Sequence, residues 1–147
     1  MIISLLLFGA VSAQNVTDFQ IDKSYSNAYN GSYYSLYLND QQDSGVTIYK
    51  ALAEDDDNDA YDGLIHDEGK EYITPDDDMK IDKNSDNTIN FTDYDYATHG
   101  VSEVINIDGV DYVVVFWAKD SSNVNNADLM AKLNEFNKDN KVQAIAY

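Results

Sequence analysis

Six oxygen-bearing side chains stand at every second residue from 82 to 90 and again at residue 93. Counted from Asp82, they stand at positions 1, 3, 5, 7, 9 and 12, and the aliphatic Ile89 stands at position 8. The six residues are Asp82, Asn84, Asp86, Thr88, Asn90 and Asp93. Calcium is a hard cation that takes about six to eight oxygen ligands, and a loop that curls around the ion supplies them from alternate residues. The spacing therefore predicts a calcium site at residues 82–93.

This segment resembles an EF-hand calcium loop, and its terminal aspartate with asparagine at position 9 makes it more similar to the loop of bacterial dockerins. The resemblance covers residues 82–93 and implies calcium as the bound ion. It departs from the family at position 6, where Asn87 replaces the usual glycine, and residues 94–100 are too short for a full exiting helix. The alternative interpretation is a polar turn at 84–87 between strands at 79–81 and 88–91.

Few side chains in this sequence suit acid–base or nucleophilic catalysis. The chain has no cysteine, which excludes thiolate chemistry and Cys-ligated zinc, and its two histidines, His66 and His99, cannot form a three-histidine metal site. Two carboxylates of the glycosidase kind need a separation of about 5 to 10 Å, and almost any pair among 27 acidic residues could meet that requirement in a fold. We predict no catalytic residues, and a hydrolase with paired carboxylates is the least favoured alternative.

The balance of charge excludes whole classes of partner. Nine lysines and no arginine face 27 acidic residues, so the net charge is −18 in a chain of 147 residues. Such a chain repels the phosphates of nucleic acids and the anionic surface of a membrane. A hydrophobic content of 44% nevertheless suffices for a buried core. The excess of acid favours a bound cation or, equally, a surface that simply keeps the protein soluble.

The N-terminus carries the features of an export signal. An apolar run at residues 2–11 is too short to span a bilayer, and the small residues at 11–13 fit a signal-peptidase site before Gln14. The sequence therefore predicts a signal peptide at 1–13 and one acidic domain at 14–147, secreted or at the cell surface and not inserted in a membrane after cleavage. Because no lysine or arginine precedes the run, a buried N-terminal strand is the alternative. The composition as a whole is similar to that of uncharacterised secreted proteins of methanogenic archaea, which implies no activity.

The C-terminal third shows the clearest secondary structure. Two β-rich runs, 101–107 and 110–118, flank Asp108-Gly109, a dipeptide that favours a type I′ hairpin with Ile107 opposite Val110. Because the second run is apolar on both faces, we expect it at the centre of the sheet. An amphipathic helix at 126–138 and a strand at 142–147 complete a β-β-α-β unit.

The N-terminal half adds a second hairpin, with strands at 33–38 and 46–52, and short helices are predicted at 60–65 and 74–78. The predicted fold class is therefore α+β: an antiparallel sheet with one or two helices packed on it.

Tyrosines are frequent in the first third of the predicted domain and suggest a binding role. They are Tyr25, Tyr29, Tyr33, Tyr34, Tyr37 and Tyr49. Tyrosine combines a flat apolar ring with a polar tip that suits sugars and proteins, although strands also favour it for packing alone. The sequence predicts a non-catalytic binding or structural module outside the membrane, calcium-stabilised through one loop, with a cell-wall or extracellular protein or carbohydrate as partner. The alternative is a ligand-binding domain that uses a tyrosine-rich sheet face.

Overall fold

The computed structural model describes residues 19–32, 34–50, 79–86, 88–140 and 143–144. The predicted signal segment at 1–13, the predicted helices at 60–65 and 74–78, and the residues His66 and Tyr33 lie outside this set. Within the described ranges, no helix has both the length and the apolar character needed to cross a bilayer.

The described residues form eight strands and one helix. The strands are β1 (Ser26–Asn30), β2 (Tyr34–Leu38), β3 (Ser44–Lys50), β4 (Met79–Lys83), β5 (Thr88–Asp93), β6 (Thr98–Ile107), β7 (Val110–Lys119) and β8 (Gln143–Ala144), and the helix is α1 (Asn126–Asp139). Their order across the sheet is β1-β2-β3-β7-β6-β5-β4, and every neighbouring pair is antiparallel. The short β8 pairs with β6 at Ile105 and Asn106, which follow Glu103, the last residue of β6 that pairs with β5.

The predicted α+β class is wrong, because the described chain is mainly β: seven strands form one continuous antiparallel sheet and a single helix follows them. The sequence underestimated the sheet at its edges. β1 shows no alternation of apolar and polar residues, and all five of its residues are exposed. Edge strands of this kind are held by main-chain hydrogen bonds to a neighbour, so the hydrophobic pattern does not reveal them.

The hairpin of β6 and β7 is confirmed with its predicted register. Ile107 pairs with Val110, and the two turn residues Asp108 and Gly109 have φ values of 52° and 83°. β7 lies between β3 and β6, at the centre of the seven-strand path, as predicted. Its residues 112–116 are all buried, so both faces of this strand are covered.

Two apolar clusters lie on opposite faces of the sheet. The first, here called the helix face, includes Val101, Ile105, Tyr112, Val114 and Phe116 beneath α1. The second face includes Tyr49, Phe91, Val104, Val113 and Val115. The predicted register assigns the β6 and β7 residues to these same two faces, because side chains alternate along a strand.

The helix α1 covers the helix face with one apolar stripe. Leu129, Leu133 and Phe136 are buried, and Phe136 contacts the ring of Phe116 with centroids 6.1 Å apart. The helix begins with a capping box: Asn125 accepts from the backbone N–H of Asp128, whose side chain accepts from the N–H of Asn125. This cap satisfies two donors that the first helical turn leaves free, and it places a negative charge at the positive end of the helix dipole.

Gly100 allows β6 to pass beneath an aromatic ring. A Cβ at this position would stand 2.2 Å from the carbonyl oxygen of Phe116 and 2.7 Å from the ring of Phe91. Neither group can easily move away from an added Cβ, because one is backbone of the central strand and the other is a buried core ring. The absence of a side chain at Gly100 is therefore a packing requirement of the second face.

We expect Gly100→Ala to destabilise the protein by about 1–3 kcal/mol, the usual cost of overfilling a packed core. Chemical denaturation measures this loss. The control is Lys119→Ala, at an exposed position of β7, which should stay within about 0.5 kcal/mol of the wild type. Equal stability of Gly100→Ala and the control would contradict the packing of Phe91 over Gly100.

Candidate functional site

The six predicted calcium ligands lie on the hairpin of β4 and β5. Asp82 and Asn90 are paired residues on adjacent strands, and Asp93 pairs with Met79 at the end of the hairpin away from the turn. At about 3.3 Å per residue, Asp93 lies roughly 10 Å beyond Asn90 along β5. Ligands of one calcium ion stand about 2.3–2.6 Å from it, so this hairpin does not bring all six together. The polar turn between two strands, the alternative interpretation, matches the described geometry.

Three of the six residues do meet at the turn. The Nδ2 of Asn84 donates to the Oγ1 of Thr88 at 3.0 Å, and the backbone N–H of Asn84 donates to the carbonyl of Thr88 at 2.8 Å. A carboxylate oxygen of Asp86 accepts from both the backbone N–H and the hydroxyl of Thr88. These bonds lower the pKa of Asp86 below its usual value. The side chains of Asn84, Asp86 and Thr88 are thus hydrogen-bonded to one another within the turn.

Of the other three residues, Asp82 and Asp93 are engaged elsewhere, and the buried side-chain oxygen of Asn90 has no hydrogen-bond partner among the described residues. Asp82 forms an exposed ion pair with Lys80 at 3.4 Å. Asp93 accepts from the N–H groups of Asp95 and Tyr96, at 3.0 and 3.1 Å, and so closes the turn between β5 and β6. Within the described ranges, no three His, Cys, Asp or Glu side chains are grouped closely enough to hold a metal ion. Calcium binding at residues 82–93 therefore remains a prediction.

A buried acid next to this hairpin was missed by the sequence analysis. Glu103 pairs with Thr88 on the helix face and is only 6% exposed. Its carboxylate accepts from the Nδ2 of Asn137 on α1 at 3.2 and 3.4 Å. Burial raises the pKa of Glu103, the bond from Asn137 lowers it, and the nearby Asp86 raises it further. The register of Ile107 with Val110 was the signal available, because it assigns position 103 to the same face as Val101 and Ile105.

His99 anchors the segment between β7 and α1. It lies within β6. Its Nδ1 lies 2.7 Å from the Oδ1 of Asp120, and its Nε2 lies 2.7 Å from the carbonyl oxygen of Val124. A carbonyl can only accept, so Nε2 carries a proton and donates to Val124. With both nitrogens used in this way, His99 serves a structural role and does not activate a serine.

The tyrosines divide between the core and the surface. Tyr37 and Tyr49 are buried, at 7% and 9% exposure, and do not contribute to a free surface. Tyr29 is 47% exposed and stacks on Tyr34 with ring centroids 4.7 Å apart and planes at 29°. Tyr34 in turn contacts Tyr49, with centroids 5.7 Å apart. These three rings, here called the tyrosine row, cross β1, β2 and β3 on the second face of the sheet.

The tyrosine row has an exposed end at Tyr29 and a buried end at Tyr49. Tyr49 is buried among Val113, Val104 and their neighbours, and burial strongly raises the pKa of its phenol. Gly31 provides the space for Tyr29, since a Cβ there would stand 2.7 Å from the Tyr29 ring. The exposed ring is therefore held against a rigid support.

The calcium prediction is tested by melting temperature. If the turn binds calcium, the ion should raise the melting temperature more than sodium chloride of equal ionic strength does, with about 2.7 kcal/mol gained at a hundredfold excess over Kd. The double variant Asp82→Asn with Asp86→Asn should lose this gain. A control with the same change of charge, Asp108→Asn with Asp139→Asn, should keep it. No selective effect of calcium on the wild type would contradict the prediction.

Glu103→Gln should stabilise the protein at neutral pH. Because burial raises the folded-state pKa of Glu103, the charged carboxylate costs stability above that pKa, and the cost disappears as the pH falls through it toward the unfolded value. Glutamine keeps an acceptor for Asn137 and carries no charge. Urea unfolding between pH 4 and pH 7 should show a difference between variant and wild type that grows with pH. The exposed Glu135→Gln is the control, and a Glu103→Gln curve parallel to that of the wild type would refute the burial argument.

Comparison with known proteins gave no match to a protein-family model, a curated protein or a solved structure.

Proposed function

We propose that this protein is an exported, non-catalytic binding module that holds a neutral polysaccharide chain against the tyrosine row. The observation that carries the proposal is the stacked pair Tyr29 and Tyr34, with centroids 4.7 Å apart, in which Tyr29 keeps 47% of its surface in contact with solvent. The export signal predicted at residues 1–13 supports a location where such chains occur.

The support behind the exposed ring favours binding. Tyr34 is half-buried between Tyr29 and the buried Tyr49. A ring that is already ordered loses little conformational freedom when a ligand stacks on it, so more of the contact energy appears as affinity. An aromatic face also suits the apolar C–H face of a sugar ring, while the phenol hydroxyl can hydrogen-bond to a sugar hydroxyl.

The local absence of charge favours a neutral ligand. The edge strand β1, which carries Tyr29, has the sequence Ser-Asn-Ala-Tyr-Asn and contains no charged side chain. The chain as a whole is 24% charged, with a net charge of −18. An anionic polysaccharide would be repelled by that charge over a Debye length of about 10 Å at 0.1 M salt, whereas a neutral chain is not. The opposite edge strand, β4, carries Lys80, Asp82 and Lys83, and charged side chains of this kind discourage pairing at an edge.

The experiment is a binding assay with soluble neutral polysaccharides, a β-glucan and a mannan, and with alginate as the anionic comparison. Affinity electrophoresis should show retardation by at least one neutral chain and none by alginate. Tyr29→Ala should weaken this binding about tenfold, or ~1.4 kcal/mol, the scale of one aromatic contact. Tyr29→Phe should retain most of it.

Two further variants separate the tyrosine row from general effects of aromatic residues. Tyr94→Ala removes another exposed ring, 65% exposed, at the turn between β5 and β6, and should leave binding unchanged. Gly31→Ala should weaken binding without removing an aromatic ring, because the added Cβ displaces Tyr29. Absence of binding to both neutral chains, or equal binding by Tyr29→Ala and Tyr94→Ala, would overturn the proposal. If the tyrosine row instead binds a protein, and Tyr29→Ala weakens that binding, the proposal is overturned in favour of a protein partner.

A further inference from the structure

A polar cleft of about 330 Å³ lies between the turn that precedes β1, the loop that joins β2 to β3, and the helix α1. This volume is at the lower end of the range for small-molecule sites, about 300–1,000 Å³. The side chains that line the cleft include Lys23, Tyr25, Asn39, Asp40, Ser44 and Lys132. It therefore contains two of the nine lysines of a strongly acidic chain.

The floor of the cleft is fixed by buried hydrogen bonds. Ser44 donates through its hydroxyl to the carbonyl of Trp117 at 3.0 Å, so the hydroxyl of Tyr25 is the donor in the 3.1 Å contact between these two side chains. Both residues are buried, at 7% for Tyr25 and 2% for Ser44. The ring of Tyr25 packs against Phe116, with centroids 6.3 Å apart. The floor is thus part of the core of the helix face.

The loop wall is equally well ordered. The side-chain oxygen of Asn39 accepts from the backbone N–H groups of Asp43 and Ser44, at 3.0 and 3.1 Å, and its Nδ2 donates to Asp43 at 2.7 Å. Gln42 completes the turn with a φ of 58° and donates its N–H to the carbonyl of Asn39 at 3.0 Å. A wall held by these bonds does not have to be ordered by a ligand.

A positioned cation stands on the helix side. The Nζ of Lys132 lies 5.0 Å from the centroid of the Tyr25 ring, 3.4 Å from the Oδ2 of Asp22 and 3.3 Å from the Oγ of Ser24. An ammonium group has three donors, and these contacts use two of them. The third donor makes no hydrogen bond or ion pair within the part of the chain that the structure describes.

Two further charged side chains of the cleft have no ionic partner among the residues that the structure describes. Asp22 is engaged by Lys132 and Ser24, and Asp43 accepts from Asn39, so neither carboxylate is free. By contrast, Lys23 and Asp40 line the same cleft and form no ion pair with any part of the chain that the structure describes. The cleft therefore presents ammonium groups and one unpaired carboxylate to the same small volume.

We propose that this cleft binds a small zwitterion, a free amino acid or a dipeptide, with its carboxylate toward Lys23 and Lys132 and its ammonium toward Asp40. The amide of Gln41 supplies a further polar contact at the cleft wall. A zwitterion uses charges of both signs and has no net charge, so the −18 charge of the protein does not repel it. A simple anion would satisfy the lysines but would face that repulsion. The site lies on the helix side of the sheet and does not depend on the polysaccharide proposal.

The experiment is a titration followed by amide NMR with four probes: glycine, glycylglycine, N-acetylglycine and glycinamide. N-acetylglycine lacks the ammonium group and glycinamide lacks the carboxylate, so each removes one half of the recognition. We expect saturable shifts of residues 23–25 and 39–44 with glycine or glycylglycine, and at least tenfold weaker binding of both single-charge probes. Lys23→Ala and Asp40→Asn should each weaken binding of the zwitterion about tenfold.

Matched variants outside the cleft control for net charge. Lys119→Ala and Asp108→Asn, both at exposed positions, should leave the affinity unchanged. Because Lys23 and Asp40 are also exposed, their variants should fold normally, which their amide spectra verify. Absence of saturable shifts with both zwitterions up to 10 mM would overturn the proposal, taking about 1 mM as a weak but specific Kd. Equal binding of N-acetylglycine and glycine would overturn it in favour of a simple anion site.

Discussion

The strand β7 is buried on both of its faces, and the arrangement of the other elements around it follows from that burial. Residues Val113 and Val115 point to one side, and Tyr112, Val114 and Phe116 to the other, and all five are at most 2% exposed. A strand of this kind must have a neighbour on each side and a covering layer on each face, because an edge position would leave its polar backbone unpaired. The pairing of β7 with β3 and β6 follows from this requirement, and α1 provides cover on the helix face.

The acidic residues have local structural roles that are separate from binding a cation. Asp86 accepts a hydrogen bond from a backbone N–H group in the turn between β4 and β5, and Asp93 does so in the turn between β5 and β6. Asp128 accepts from a backbone N–H group at the start of α1. Aspartate is favoured at such positions because its short side chain accepts from nearby backbone N–H groups. Neutral donors, here backbone N–H groups and the hydroxyl of Thr88, hold these carboxylates in a chain that has few cations. A high content of aspartate is thus a property of the turns as well as of the surface.

The two proposed binding surfaces arise from the two faces of one sheet. The tyrosine row crosses the second face at the β1 edge, and the polar cleft opens where the loop between β2 and β3 meets α1. Tyr25 and Tyr29 are separated by three residues, yet one forms the floor of the cleft and the other ends the tyrosine row. Their different surroundings explain their different exposure, 7% for Tyr25 and 47% for Tyr29.

The fold could be predicted in part, where local patterns carry the information. The hairpin at Asp108-Gly109, its register and the amphipathic helix that comes after it follow from alternation, turn residues and helical spacing, all of which are read over a few neighbouring positions. The edge strands were predicted less well. The spacing of residues 82–93 fits a calcium loop and a strand hairpin equally, since a period of two serves both.

The acidic charge, the central strand with two apolar faces and the amphipathic helix can all be recognised without a structure, because each depends only on composition or on residues close in the chain. The exposure of each tyrosine, the bond between Glu103 and Asn137, and the contacts of Lys132 with Tyr25 and Asp22 depend on how the sheet and the helix pack. These contacts join residues from separate elements, so they exist only after the sheet and the helix have packed. The register of β6 shows only which face of the sheet Glu103 is on, whereas the side chains that meet it there follow from that packing.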